Sequence, residues 1–86
     1  MQKFSFTVTD PDGIHARPAG LIIGTVNRFS SRAVLTTCGK SVALNGGIFA
    51  LMGLGIRHGQ RLEITVEGTD EQQAAAAIRQ VLEDHL

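Results

Sequence analysis

Near the start of the chain, apolar and polar positions alternate. Phe4, Phe6 and Val8 are separated by Ser5 and Thr7 and flanked by Lys3 and Thr9. A two-residue period describes a strand with one dry face and one wet face. Asp10-Pro11-Asp12-Gly13 ends it, because proline fixes φ and glycine permits positive φ. From Ala16 to Phe29 the period changes: Ala19, Ile22, Ile23, Val26 and Phe29 fall at helical spacing and form one core stripe. Pro18 fits that helix only in its first turn, where a missing N–H costs nothing. The helix therefore starts directly after His15.

Two further strands follow at Arg32–Thr37 and Lys40–Leu44, joined by a tight Cys38-Gly39 hairpin turn in which Gly39 takes the awkward dihedral. Asn45-Gly46-Gly47 breaks the second of them, and Ile48–Leu54 reads as a short helix. Arg57-His58-Gly59-Gln60 is a turn. Leu62, Ile64 and Val66 then alternate with Arg61, Glu63, Thr65 and Glu67, giving another half-wet strand that ends at Gly68. Thr69 and Gln72 have the spacing of a capping box, and Asp70 and Glu71 suit a helix N-terminus. Ala74, Ala77, Ile78, Val81 and Leu82 are the expected core stripe of that last helix. Glu83 and Asp84 oppose the dipole at its far end, which predicts a frayed terminus.

The element order is βαββαβα. Clean alternation in the strands means that one face of the sheet meets water, which favours antiparallel pairing. The helices then cover the other face of a two-layer α+β domain.

The 86 residues make one small domain, residues 1–86. A chain of this size buries only about 60–65% of its unfolded surface, which leaves little room for a deep cofactor cavity. Eight basic residues balance eight acidic ones, with neither sign clustered. That argues against nucleic-acid or membrane electrostatics. Cys38 is the only cysteine, so no intrachain disulfide forms, as suits a reducing cytosol. There is no signal-peptide core and no apolar run long enough to span a bilayer, so the expected location is the cytoplasm.

The chemistry gathers at Gly13-Ile14-His15-Ala16-Arg17-Pro18-Ala19. With the helix beginning at Ala16, His15 stands at its N-cap and the free first-turn amides point toward the space around the imidazole. A helix N-terminus carries roughly half a positive charge and binds anions readily. Arg17 adds a guanidinium suited to phosphate, and Pro18 removes a competing donor and stiffens the start. An imidazole nucleophile beside an anion cradle is the arrangement phosphoryl transfer needs. His15 and Arg17 are thus the candidate reactive pair, with Ala16, Arg17 and Pro18 as the candidate phosphate-binding residues. His15, His58 and His85 share no metal-ligand spacing, so no metal is expected.

This stretch resembles the active-site signature of the HPr family, the histidine-containing phosphocarriers of the bacterial phosphoenolpyruvate-dependent sugar phosphotransferase system. The resemblance extends along the chain. Thr9-x-Pro11-x-Gly13 leads into the signature, Gly39-Lys40-Ser41 opens the third strand, Leu54-Gly55-Ile56-x-x-Gly59 closes the short helix, and Glu67-Gly68-x-Asp70-Glu71 enters the last helix. It implies an open-faced β-sandwich, a four-stranded antiparallel sheet covered on one face by three helices. It implies a carrier rather than an enzyme, with no cofactor. His15 would accept a phosphoryl group on Nδ1 from phosphorylated enzyme I and pass it to a histidine of an enzyme IIA domain, with Arg17 helping to hold and release it. The partners would dock on Ala16, Gly20, Ile48, Phe49 and Met52, and the carrier would be a monomer. A different reading is a regulatory binding module, including a nitrogen-type paralogue, in which phosphorylation of His15 only switches affinity.

One departure from the family stands out. Many members carry a serine at the start of the short helix, where a regulatory kinase phosphorylates it. Here Asn45-Gly46-Gly47 occupies that place, in a segment one residue longer, and offers no hydroxyl. Serine-kinase control at this position is not expected. Arg57-His58-Gly59 has the triplet of histidine phosphatases without their large α/β domain, and Gly39-Lys40-Ser41 lacks the upstream glycine and following helix of a P-loop. Both are explained as turns.

Overall fold

The computed structural model describes residues 1–86. Four strands, β1 (Gln2–Thr7), β2 (Arg32–Thr37), β3 (Lys40–Ala43) and β4 (Arg61–Glu67), alternate with three helices, α1 (Ala16–Val26), α2 (Ile48–Met52) and α3 (Glu71–His85). The strands form one antiparallel sheet in the order β1-β4-β2-β3. Ile64 of β4 stands between Phe4 of β1 and Leu35 of β2 at the centre of the sheet. This is the α+β open-faced sandwich that the alternation and the resemblance both lead to.

The period-2 pattern shows directly in burial. Ala33, Leu35 and Thr37 of β2 and Leu62, Ile64 and Val66 of β4 face the helices, and their neighbours in sequence face water or lie half-buried. Ala19, Ile22 and Val26 of α1 and Ala74, Ala75, Ile78 and Leu82 of α3 close the core from the other side. Of the expected stripes, Ile23, Phe29 and Val81 are only partly buried and pack at its margin. Ala77 is half-buried too, and Ala75 takes its expected place, because the α3 face turned to the sheet lies slightly further round the helix.

Boundaries shift where turns intervene. α1 stops at Val26, and the amides of Arg28 and Phe29 fold back onto Thr25 and Val26 at 3.2 Å each. β3 ends at Ala43, since Leu44–Gly46 winds into a 3-10 turn and carries Leu44 into the core. α2 is shorter than the pattern suggests and ends at Met52, before Gly53. In the β2–β3 turn, Cys38 shares the left-handed geometry with Gly39, at φ 50° and 77°. Two consecutive positive φ values match the twist of a two-residue hairpin.

Two expectations fail for physical reasons. The α3 terminus does not fray. Leu86 is buried, and its carbonyl oxygen accepts the amides of Thr9 and Asp10 at 2.6 Å each and the Thr9 hydroxyl at 3.0 Å. Burying a leucine side chain is worth about 1.5–3 kcal/mol, whereas a misplaced surface charge at a helix end costs about 0.3–1 kcal/mol. The packing wins over the dipole. The Thr69–Gln72 capping box also does not form. Asp70 is the N-cap of α3 but makes no side-chain capping bond. Its carboxylate reaches across to the end of the α1–β2 loop, where it accepts the amides of Ser30 and Ser31 at 2.9 Å each and the Ser31 hydroxyl.

Those bonds hold the Asp70 carboxyl below its ordinary value of 3.8, the Ser31 hydroxyl contributing most and the Ser30 amide next. A carboxyl whose pKa is lowered by folding stabilises the fold at pH values above its unfolded pKa. That stabilisation is lost as pH falls toward the folded value. Asp70→Asn is expected to lower the urea midpoint at neutral pH, with the gap to the parent narrowing below about pH 4. Midpoints measured over a pH series check this, and a gap constant down to acid pH would refute the carboxylate clamp.

Candidate functional site

The position of His15 is set by a turn that has no room for a side chain. Gly13 adopts φ 65°, and a Cβ there would run into the Ile56 carbonyl oxygen and stand 2.8 Å from the Arg57 Cα. Only glycine allows this approach. The next residue secures it, the Ile14 amide donating to the Ile56 carbonyl at 3.1 Å. His15 then takes an extended conformation, φ −140° and ψ −179°, as the N-cap of α1, and its carbonyl accepts the Ala19 amide at 3.0 Å.

The first turn of α1 contains no acidic residue. The amides of Ala16 and Arg17 donate to nothing within the chain. Pro18 has no amide hydrogen and is buried, so it shapes the turn without offering a donor. Arg17 is exposed and makes no ion pair: the two in the molecule join the Met1 amine to Glu71 and Lys3 to Glu63. His15 is exposed as well.

His15, Arg17 and Pro18 line one open cleft of about 320 Å³ together with Thr9, Asp10 and the last turn of α3, Glu83–Leu86. The α3 contribution was not visible in the sequence, since nothing local ties residues 83–86 to residue 15. It follows from the bonds that draw Leu86 onto Thr9 and Asp10. Charge in the cleft is divided: Arg17 and the helix end attract an anion, and the carboxylates of Asp10, Glu83 and Asp84 repel it. Asp10, Asp12 and His15 also bring one potential ligand atom each to within 4.8 Å of one another. Local structure accounts for the two carboxylates' proximity, because the Asp12 amide donates to Asp10 Oδ1 at 2.8 Å in an exposed turn.

The expected docking residues lie on the adjoining face made by α1 and α2. Ala16 and Gly20 are exposed, and the Ile48 Cδ1 lies 4.0 Å from where a Cβ of Gly20 would stand. Phe49 is 88% exposed and Met52 37%, whereas their neighbour Leu51 is buried in the core. Leu21, 39% exposed, extends the patch; it lies off the stripe of Ala19, Ile22 and Ile23 that the helical period marks, so the pattern alone does not single it out. An apolar ring almost fully in water needs a reason, and a contact surface provides one.

The model of the family described as "PTS HPr component phosphorylation site" matches residues 2–84. The chain belongs to the HPr family. The phosphocarrier protein HPr of Mycoplasma pneumoniae is 44% identical over 85 residues, covering 99% of this chain and 97% of the relative. Among solved structures, the histidine-containing phosphocarrier protein of Mycoplasma superposes with a TM-score of 0.92 at 35% identity, covering 96% of this chain and 93% of that one. The phosphocarrier protein HPr of Bacillus anthracis gives 0.85 at 31% identity, covering 94% and 95%. The chain is therefore a phosphocarrier of the phosphotransferase system and not a catalyst with turnover of its own, and its partners are proteins of that system. No helix is long and apolar enough to cross a membrane.

In the segment before α2, Asn45 has a structural task. Its Oδ1 accepts the Ala33 amide at 2.9 Å, and its Nδ2 donates to the Ser31 carbonyl at 3.4 Å. The side chain thus ties the 3-10 turn to the start of β2. Asn45→Ala leaves the Ala33 amide without a partner and is expected to cost about 1–2 kcal/mol in chemical denaturation. Treatment with the family's serine kinase is expected to leave residues 44–52 unmodified, and a phosphate mapped there by peptide mass spectrometry would contradict this.

Proposed function

We propose that His15 is the phosphoacceptor of this carrier, taking a phosphoryl group from phosphorylated enzyme I and passing it to an enzyme IIA domain. The Nδ1 lone pair of His15 attacks phosphorus, and the new N–P bond forms as the bond to the donor breaks. The same steps run in the forward sense when an acceptor histidine of enzyme IIA attacks in turn. The observation that carries this reading is the meeting of an exposed imidazole, two unpartnered amides and an unpaired guanidinium at one helix start. The amides of Ala16 and Arg17 and the Arg17 side chain face the charge that a transferring phosphoryl group spreads over its oxygens. Pro18 holds the turn in place. Partners dock over Ala16, Gly20, Ile48, Phe49 and Met52, which are continuous with His15. The carrier works as a cytoplasmic monomer and needs no metal or cofactor of its own.

Incubation with enzyme I, phosphoenolpyruvate and Mg²⁺ is expected to add one acid-labile phosphoryl group by intact-mass spectrometry, and His15→Ala is expected to accept none. Arg17→Ala is expected to slow phosphorylation by about tenfold or more, the scale on which losing a charge-stabilising donor acts. Onward transfer to an enzyme IIA separates a carrier from a phosphorylation-dependent switch, which would retain the group.

A further inference from the structure

We infer that Asn45 is a site of spontaneous deamidation, and that the acid formed there unties the turn before α2. The chain has two asparagines, Asn27 and Asn45, and only the second is followed by glycine. An asparagine loses its amide when the backbone nitrogen of the next residue attacks its Cγ. A Cβ on that next residue hinders the approach, and glycine has none.

The reaction exchanges an amide for an acid. The Gly46 nitrogen gives up its proton and bonds to Asn45 Cγ, while the Cγ–Nδ2 bond breaks and ammonia leaves. Water then opens the cyclic imide. Cleavage between the Gly46 nitrogen and Cγ gives aspartate. Cleavage at the other carbonyl gives isoaspartate, in which the backbone runs through Cγ. Water is the only co-reactant, and no oxidant or reductant takes part.

Little in the fold opposes this at Asn45. Asn45 and Gly46 are exposed, in a three-residue 3-10 turn, Leu44–Gly46, with no side-chain cap at its start. The departing nitrogen is held by one hydrogen bond, to the Ser31 carbonyl, and at 3.4 Å that bond is longer than an ordinary N–H···O contact. The firmer bond, from the Ala33 amide at 2.9 Å, engages Oδ1 and not the leaving group. An exposed turn of this length opens locally at a fraction of the cost of unfolding the core. Asn27 is placed differently. It is the C-cap of α1, its amide is bonded to the carbonyls of Ile23 and Thr25, and Arg28 follows it.

The product changes the corner that Asn45 holds. An aspartate keeps an acceptor for the Ala33 amide, but it sets an oxygen against the Ser31 carbonyl where an N–H had donated. Residues 41–56 contain no ionisable side chain, so the new carboxylate is the only charge between Lys40 and Arg57. The amide and hydroxyl of Ser31 already bind the Asp70 carboxylate, so two anions then converge on one residue.

Peptide mass spectrometry on the folded protein kept at mildly alkaline pH tests this, with the same chain unfolded in guanidinium chloride as the reference. Asn45 is expected to convert while Asn27 stays intact, at a rate within about a hundredfold of the unfolded chain, as local opening allows and global unfolding does not. Gly46→Ala is expected to slow the conversion severalfold or more. Gly46 is not one of the positive-φ glycines and nothing lies within 4 Å of where its Cβ would stand, so that variant keeps the fold. Asn45→Asp, which makes the main-chain product directly, is expected to unfold at a lower denaturant midpoint than the parent. An Asn45 that stays intact in the folded protein while the unfolded chain converts would overturn the site. So would earlier loss at Asn27, or a Gly46→Ala variant that converts as fast as the parent. An Asn45→Asp midpoint equal to the parent's would overturn the untying of the turn.

Discussion

The passage of the Gly13–Ile14 backbone over Ile56 is the constraint on which the site depends. α1 begins three residues after Gly13, and α2 leads through Gly53, Leu54 and Gly55 to Ile56. Joining these segments by one hydrogen bond and one contact too close for a side chain fixes the histidine loop and α2 in a single frame. The imidazole, the free amides and Phe49 are then held relative to one another without any direct bond among them. A looser turn would leave the same residues present and the arrangement undefined, since positioning is most of what phosphoryl transfer asks of a protein.

The remaining framework acts at longer range toward the same end. Leu86 draws the last turn of α3 onto Thr9 and Asp10, which makes that turn one wall of the cleft. Asp70 gathers the Ser30 and Ser31 amides, and Asn45 ties the turn before α2 to Ala33 and Ser31. Ser31 is thus a junction: it is buried, and it is bonded to residues far from it in sequence on two sides. A chain with 18 core residues in one cluster relies on such polar ties where apolar area runs out.

Much of this was legible in the sequence wherever one local rule decided the outcome. Pro18 can stand only in a first turn, so the start of α1 at Ala16 followed. β2 and β4 have strict alternation, and both appear with the expected limits. The failures fall where a distant partner outbid a local preference. Thr69 and Gln72 had capping-box spacing, but the helix starts at Asp70, whose carboxylate is engaged by a loop some 40 positions earlier. Glu83 and Asp84 argued for a frayed end, but Leu86 had somewhere to be buried. For the candidate site, His15, Arg17 and the first-turn amides were readable from the helix start, and Phe49 and Met52 came from the family resemblance. The α3 wall of the cleft and the exposure of Leu21 were not readable, because both arise only when helices far apart in the chain meet.

The cleft beside His15 is open to water. In the proposed reaction this makes loading and unloading use one doorway. In that reading donor and acceptor both seat over α1 and α2, so the two compete for one face. Transfer must alternate, with the carrier leaving one protein before meeting the next. A cycle of that kind is paced by how fast each partner lets go, and very tight attachment to either one would slow the whole relay.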